Sequence, residues 1–267
     1  MVRRIVACGG QQLLFPALTS YLLGLARRPR PRVLFLGTAS GDGEGYLLTF
    51  YQALAGVDCE PSHLALFDRV VDDIGALVES QDVVIVGGGN TANMLAIWRL
   101  HGVEDALRAA YASGTVLSGW SAGCLCWFEG GITDSFTPRL GALRDGLGIL
   151  AGSACPHYDS QEARRPVYAR EIAAGLAPGI ALEDGVAARY DDERLIEVVS
   201  ARPLVEPRND LLRQRREGMR HRRVGRADRD RRSIFGGSPK CAAEWNLTQL
   251  VDLHLPDRPG RRDGGKE

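Results

Sequence analysis

Short apolar runs recur from the N-terminus to about residue 200, each closed by glycine or a small polar residue and followed by a stretch with helical spacing of its apolar positions. Residues 4–8 (RIVAC), 32–37 (RVLFLG), 63–67 (HLALF), 82–88 (DVVIVGG) and 115–119 (TVLSG) predict strands. Between them, residues 16–27, 45–55, 72–79, 91–100 and 103–112 predict helices. Such alternation is that of an α/β protein with a mainly parallel sheet sandwiched by helices. The strands are apolar at nearly every position rather than at every second one, so both faces of the sheet are expected to be covered, giving three layers.

Past the fifth strand the pattern loosens. Residues 130–152 are glycine-rich and read as irregular, the segment SACPHYD (153–159) follows, and residues 162–174 predict a helix. Residues 179–200 read as short strands at an antiparallel edge, with turns at Glu183-Asp184-Gly185 and Asp191-Asp192. From Val205 onward the run RQRREGMRHRRVGRADRDRR and the glycine- and proline-containing sequence after it lack the apolar periodicity of a folding unit. The expected organisation is an α/β domain over 1–204 and an Arg-rich, low-order tail over 205–267, with residues 245–255 docking back. A solvated tail and an altered reading frame near residue 203 both account for the change in composition.

Composition alters this picture little. The chain has 267 residues, 45% hydrophobic and 25% charged, enough for a sizeable core, and a formal net charge of +0. Arginine is concentrated in the tail, but acids are interspersed there and no aromatic pattern for stacking bases accompanies it, so nucleic acid is not an expected partner. No apolar run approaches the roughly 20 residues of a membrane span. The opening MVRRIVACGG also lacks the long apolar region of a secretory leader, so no membrane contact and a cytoplasmic location are expected. The cysteines at 8, 59, 124, 126, 155 and 241 show no Cys-x-x-Cys pairing, and free thiols rather than metal ligands are expected.

The candidate chemistry begins at Gly119-Trp120-Ser121-Ala122-Gly123, directly after the fifth strand. A serine in G-x-S-x-G at a strand-to-helix turn sits on a tight elbow, its hydroxyl raised above the carboxyl edge of the sheet. Such a hydroxyl needs a base. Of the five histidines, His221 and His254 lie in the tail, His63 at a strand start and His101 at a helix end. His157, in SACPHYD, is the one on a segment able to return to the sheet edge. An orienting carboxylate can come from Asp134, in GITDSF, or from Glu183 or Asp184, in ALEDGV, since triads are defined by geometry and not by chain order.

A second signal is VGGGNTANML, from Val86. Its glycines permit close backbone approach to a ligand, and Asn90 and Thr91 can cap the following helix. Neither G-x-G-x-x-G nor G-x-x-x-x-G-K-[ST] is present, which argues against a nucleotide. Backbone N–H groups of Gly88 and Gly89, with that of Ala122 and with Asn90 alongside, can instead form an oxyanion and substrate-binding site.

GGGNT, GWSAG, CPHYD and ALEDG, in this order and spacing, resemble the peptidase E family of serine peptidases (family S51), which includes cyanophycinases. The resemblance covers about residues 1–200 and is densest between Val83 and Tyr158. It implies a flavodoxin-like fold similar to class I glutamine amidotransferases, with Ser121 as nucleophile and His157 as base. The acid it implies is Asp184 or Glu183, with Asp134 at another acidic position sometimes given this role. It further implies hydrolysis of dipeptides or small peptides with an N-terminal aspartate, through an acyl-enzyme, with no cofactor and no metal. A small peptide is then the expected partner and a homodimer the assembly considered. Arg139, Arg164 and Arg165 are the cations available for a substrate carboxylate. An amidotransferase would place cysteine at the elbow, whereas Cys124 and Cys126 fall in the following helix; an esterase or amidase with another acyl substrate, and a non-catalytic binding or regulatory protein, are the alternatives.

Overall fold

The computed structural model describes residues 1–201. The tail expected over 205–267, and the docking of 245–255, lie outside the described residues. Strands β1 (Arg4–Cys8), β2 (Arg32–Leu36), β3 (Glu60–Leu64), β4 (Val83–Val86) and β5 (Val116–Trp120) alternate with helices α1 (Pro16–Leu23), α2 (Glu44–Leu54), α3 (Ile74–Glu79), α4 (Thr91–His101) and α5 (Val103–Ala112). A short α6 (Ala122–Leu125) follows, then β6 (Phe128–Thr133), β7 (Gly141–Leu143), β8 (Leu150–Cys155), α7 (Arg164–Ala173), β9 (Ile180–Ala181), β10 (Val186–Asp191) and β11 (Arg194–Ser200). No helix among the described residues is long and apolar enough to cross a membrane.

The main sheet has the order β11-β10-β1-β5-β4-β2-β3. The pairs from β1 to β3 are parallel, and β10 and β11 close the other edge antiparallel. Both faces are covered, as the uniform apolarity of the strands requires. Val33, Phe35, Val83, Ile85 and Val116 pack with Leu18, Leu22, Phe50 and Leu54 of α1 and α2. Their neighbours Leu34, Leu36, Val84, Val86 and Leu117 pack with Val78, Leu95, Trp98 and Leu107 on the opposite face. Each of these ten strand side chains is at most 2% exposed, and each such burial contributes about 1.5–3 kcal/mol. Asp73 and Asn90 cap α3 and α4 by accepting from Ala76 N and Asn93 N, typically worth about 1 kcal/mol each.

Residues 130–152 depart from the expectation of irregular chain. With β9 they contribute to a second, four-stranded sheet in the order β7-β6-β8-β9. Its glycines hide it in the sequence: a Cβ on Gly131 would lie 2.2 Å from the Ala154 carbonyl oxygen, and one on Gly130 2.4 Å from that of Leu143. Bare backbone lets these strands approach, and it also erases the apolar alternation. The expected antiparallel edge is divided accordingly, because β9 pairs parallel with β8 while only β10 and β11 join the main sheet. Strand β3 begins at Glu60, earlier than the apolar run 63–67 suggested, since its register is set by pairing Arg32 with Glu60. It is an edge strand and tolerates polar residues.

Candidate active site

Ser121 stands between β5 and α6 with φ 55° and ψ −111°, a left-handed conformation that L-residues rarely adopt. The flanking glycines make it feasible. A Cβ on Gly119 would lie 2.5 Å from the Gly123 carbonyl oxygen, and one on Gly123 would lie 2.3 Å from that of Val86. The elbow thus presses directly against the end of β4. Trp120 anchors it from below, 1% exposed, with its ring 5.9 Å from Phe35 and 6.1 Å from Tyr46 between centroids. The Ser121 carbonyl accepts from Cys124 N and Leu125 N, so the turn leads straight into α6.

The glycine loop lies alongside. A Cβ on Gly88 would be 3.2 Å from Ser121 Cβ and 2.9 Å from Trp120 Nε1, so only glycine lets this backbone approach the elbow so closely. Gly89 has φ 138° and passes against the Ala39 carbonyl. The N–H groups of Gly88, Gly89 and Ala122 have no acceptor among the described residues. Asn90 is differently placed: its N–H donates to Ala39 O at 2.8 Å, its Oδ1 caps α4, and its Nδ2 donates to Ser135 O at 3.0 Å. Asn90 therefore fixes the loop, and its backbone is not available as an oxyanion donor.

His157 follows Pro156 at the end of β8, with φ 54°. Its N–H donates to Gly9 O at 3.3 Å, across from the other sheet. Its Nδ1 lies 2.7 Å from Asp184 Oδ1, with the two side chains 19% and 26% exposed. An ionised carboxylate can only accept, so beside it the neutral imidazole carries its hydrogen on Nδ1 and leaves the lone pair to Nε2. Asp184 is held in turn by Asp159, whose Oδ1 accepts from Asp184 N at 2.9 Å. A Cβ on Gly10 would sit 2.1 Å from Asp184 Oδ1, so the carboxylate occupies space left by that glycine.

Ser121 and His157 open onto one cavity of about 390 Å³, shared with Gly89 and Asn90. Asp134, Gln161 and Arg164 complete its lining. Of the three acids left open by the sequence, Asp184 is the one on His157; Asp134 is in the cavity without touching the imidazole, and Glu183 turns its carbonyl to Val186 N. Arg164 is 3% exposed, donating from Nε to Gln161 Oε1 at 2.7 Å and from Nη1 to Ile132 O at 2.8 Å. No carboxylate among the described residues is within ion-pair distance of it. Arg165 instead lies over the Tyr158 ring, 4.8 Å from its centroid, and Arg139 does not line the cavity. Gln161 was missed in the sequence. Its position four residues after His157, on the segment leading into α7, is the only signal that marks it.

The thiols do not compete for the nucleophile's role. Burial holds Cys124 and Cys126 well above the ordinary thiol range and pushes Cys8 up to about 12. Among the described residues no three His, Cys, Asp or Glu side chains are grouped to hold a metal.

The sequence matches the model of peptidase family S51 over residues 5–198. The uncharacterized peptidase YgaJ of Bacillus subtilis (strain 168) is 43% identical over 206 residues, covering 75% of this chain and 89% of that protein. Peptidase E of Actinobacillus pleuropneumoniae serotype 5b (strain L20) is 47% identical over 47 residues, 18% of this chain and 20% of its own. A crystal structure of a peptidase from an acI-B1 Actinobacterium shares the fold, with a TM-score of 0.55 at 18% identity, covering 75% of this chain and 88% of that one. A Listeria monocytogenes EGD-e protein described as peptidase E superposes with a TM-score of 0.58 at 16% identity, covering 73% of this chain and 98% of that one.

Proposed function

The chain belongs to peptidase family S51, and from that premise we propose that it hydrolyses dipeptides or small peptides by a serine mechanism, with Ser121 as nucleophile, His157 as base and Asp184 as the orienting acid. The observation that carries this reading is the 2.7 Å contact between His157 Nδ1 and Asp184, made by a histidine that shares its cavity with a serine on a strained elbow.

In the first step Nε2 of His157 takes the Ser121 proton as Oγ adds to the peptide carbonyl carbon. Asp184 stabilises the imidazolium that forms without itself being protonated. The carbonyl oxygen becomes an oxyanion, and the N–H groups of Gly88 or Gly89 and of Ala122 are the donors for it; losing one such donor typically costs about 10²- to 10³-fold in kcat. His157 then gives its proton to the departing amine, the C–N bond breaks and an acyl-Ser121 ester remains. Water, deprotonated by the same imidazole, adds to the ester, and Ser121 leaves with the proton restored.

Two features favour a small acidic substrate. An open cavity of about 390 Å³ is of the size that takes small ligands. Within it, Arg164 is a buried cation without a carboxylate partner among the described residues, suited to a substrate carboxylate and hence to an N-terminal aspartate. A cytoplasmic setting, in which Cys8, Cys59, Cys124, Cys126 and Cys155 stay as thiols, fits the same reading. The test is hydrolysis across a library of Asp-X and other dipeptides. Wild type should turn over Asp-X members while Ser121→Ala and His157→Ala do not; turnover retained in both variants would end the proposal.

A further inference from the structure

We infer that Thr38 is a positioning residue for the oxyanion donors: it sets the peptide units of Gly88 and Gly89 through the Ala39 carbonyl, and Trp98 holds it in place. The inference rests on the peptidase reading above and concerns two residues that lie outside the cavity.

Beyond the end of β4 the chain keeps running beside the continuation of β2. Gly87 N donates to Leu36 O at 3.0 Å, and Asn90 N donates to Ala39 O at 2.8 Å. The two N–H groups between these clamps, those of Gly88 and Gly89, have no such acceptor among the described residues. Gly88 instead bulges onto the elbow, where a Cβ on it would lie 3.2 Å from Ser121 Cβ. Gly89, at φ 138°, brings the chain back so closely that a Cβ there would lie 2.1 Å from Ala39 O. Oxyanion donors must point to within about 2.7–3.1 Å of where the charge develops. Their direction here depends on where two carbonyls stand, and while Leu36 O belongs to a buried strand, Ala39 O belongs to a short turn.

That turn, Thr38–Ser40, is one turn of 3-10 helix closed by Gly41 at φ 68°. Its internal bonds, Ser40 N to Gly37 O and Gly41 N to Thr38 O, set its shape but not its orientation against the glycine loop. Orientation comes from Trp98, whose Nε1 donates to Thr38 Oγ1 at 3.1 Å. Both side chains are buried, so water does not replace either partner and an unpaired indole N–H there would be costly. Asn90 caps α4, and Trp98 lies about two turns along it. The turn is therefore tied to one rigid helix at two points, Ala39 O by Asn90 N and Thr38 Oγ1 by Trp98 Nε1. Neither Thr38 nor Trp98 lines the cavity, so their influence on the reaction passes through the Ala39 carbonyl.

The test sets Thr38→Val against Thr38→Ser. Valine keeps the branched shape and loses the acceptor, whereas serine keeps the acceptor. With Asp-Leu as substrate, Thr38→Val should lower kcat by about 10- to 100-fold, the range for a misplaced catalytic group or a weakened oxyanion donor, while KM stays within about threefold. Thr38→Ser should recover most of kcat. The second readout is inhibition by the α-aldehyde of aspartate and by the corresponding alcohol. Ser121 Oγ adds to the aldehyde carbon, its proton passes to His157 Nε2, and the carbonyl electron pair moves to the oxygen, which takes the oxyanion's place; the alcohol forms no such bond. Thr38→Val should weaken the aldehyde by a factor like that in kcat and leave the alcohol unchanged. Trp98→Phe deletes the donor instead, should show the same split, and serves if Thr38→Val does not fold. A bond that serves stability alone would lower the urea midpoint without moving this split. A kcat within about threefold of wild type, equal weakening of both inhibitors, or a Thr38→Ser variant as slow as Thr38→Val overturns the proposal. Wild type that turns over no dipeptide overturns the peptidase reading itself and the positioning role with it.

Discussion

Asp184 reaches His157 at 2.7 Å although 27 residues separate them, and the imidazole belongs to the end of one sheet while the carboxylate lies on the connection into the other. In Asp184→Asn the amide can donate to Nδ1 and favours the wrong tautomer, as known triads show with a loss of about 10⁴ in kcat. Asp184→Asn should therefore lower kcat/KM for Asp-X dipeptides by about that factor with a normal melting curve, whereas Glu183→Gln should cost less than about tenfold. The reverse order of severity would move the acid to Glu183.

The strain at Ser121 gives a stability prediction opposite in sign to the activity prediction. A non-glycine residue in a sparsely populated conformation costs about 1–3 kcal/mol, and glycine carries an entropic cost of about 0.5–1 kcal/mol relative to alanine. Ser121→Gly should thus be inactive yet more stable than wild type by about 1 kcal/mol, read from urea unfolding. Ser121→Ala should be inactive without that gain. A Ser121→Gly variant less stable than Ser121→Ala would show that the elbow is not strained.

Gly10 touches no reacting atom, but any side chain there would collide with Asp184. Displacements of about 1 Å at a catalytic group can cost about 10²-fold. Gly10→Ala should reduce kcat by about that factor with a much smaller change in KM, because the cavity walls are untouched. Activity within threefold of wild type would show that the carboxylate has room to relocate.

Burial raises the Cys8 thiol to about 12 and the Cys155 thiol to about 11, with Cys124 and Cys126 well above the ordinary range. Above the ordinary thiol pKa of about 8.5 the unfolded chain holds fewer protons than the fold, so unfolding free energy declines with pH. Stability from this source is complete below that value and is lost as pH rises towards 11–12. The urea midpoint should fall progressively above about pH 9, and iodoacetamide at about pH 8 should leave these four thiols unlabelled in the native protein, as judged by peptide mass spectrometry. Native labelling of Cys124 at the rate of a free thiol would contradict the burial and reopen a cysteine mechanism.

Much of the fold and of the candidate site is legible in the sequence. The strands Arg4–Cys8 and Val83–Val86 announce themselves because burial on two faces demands apolar residues at every position. The elbow is equally plain, since Gly119 and Gly123 are required by contacts with β4 and leave a short fixed pattern. The second sheet was not legible, because Gly130 and Gly131 do its packing with backbone, and backbone leaves no hydrophobic trace. The choice of acid stayed open for a different reason. Asp134, Glu183 and Asp184 all lie at turns that look alike in sequence, and the one that meets the imidazole, Asp184, fits into space left by Gly10, far away along the chain.

Strand β1 lies far in sequence from both of its neighbours: Ile5 pairs with Leu117 on one side and with Tyr190 on the other. The Gly9 and Gly10 segment that accepts the His157 N–H and makes room for Asp184 is itself tied to β10, through Gly9 N donating to Val186 O at 3.0 Å. On the proposed mechanism, a variant that loses the β1–β10 pairing would keep Ser121 on its elbow and lose the frame against which His157 and Asp184 are set.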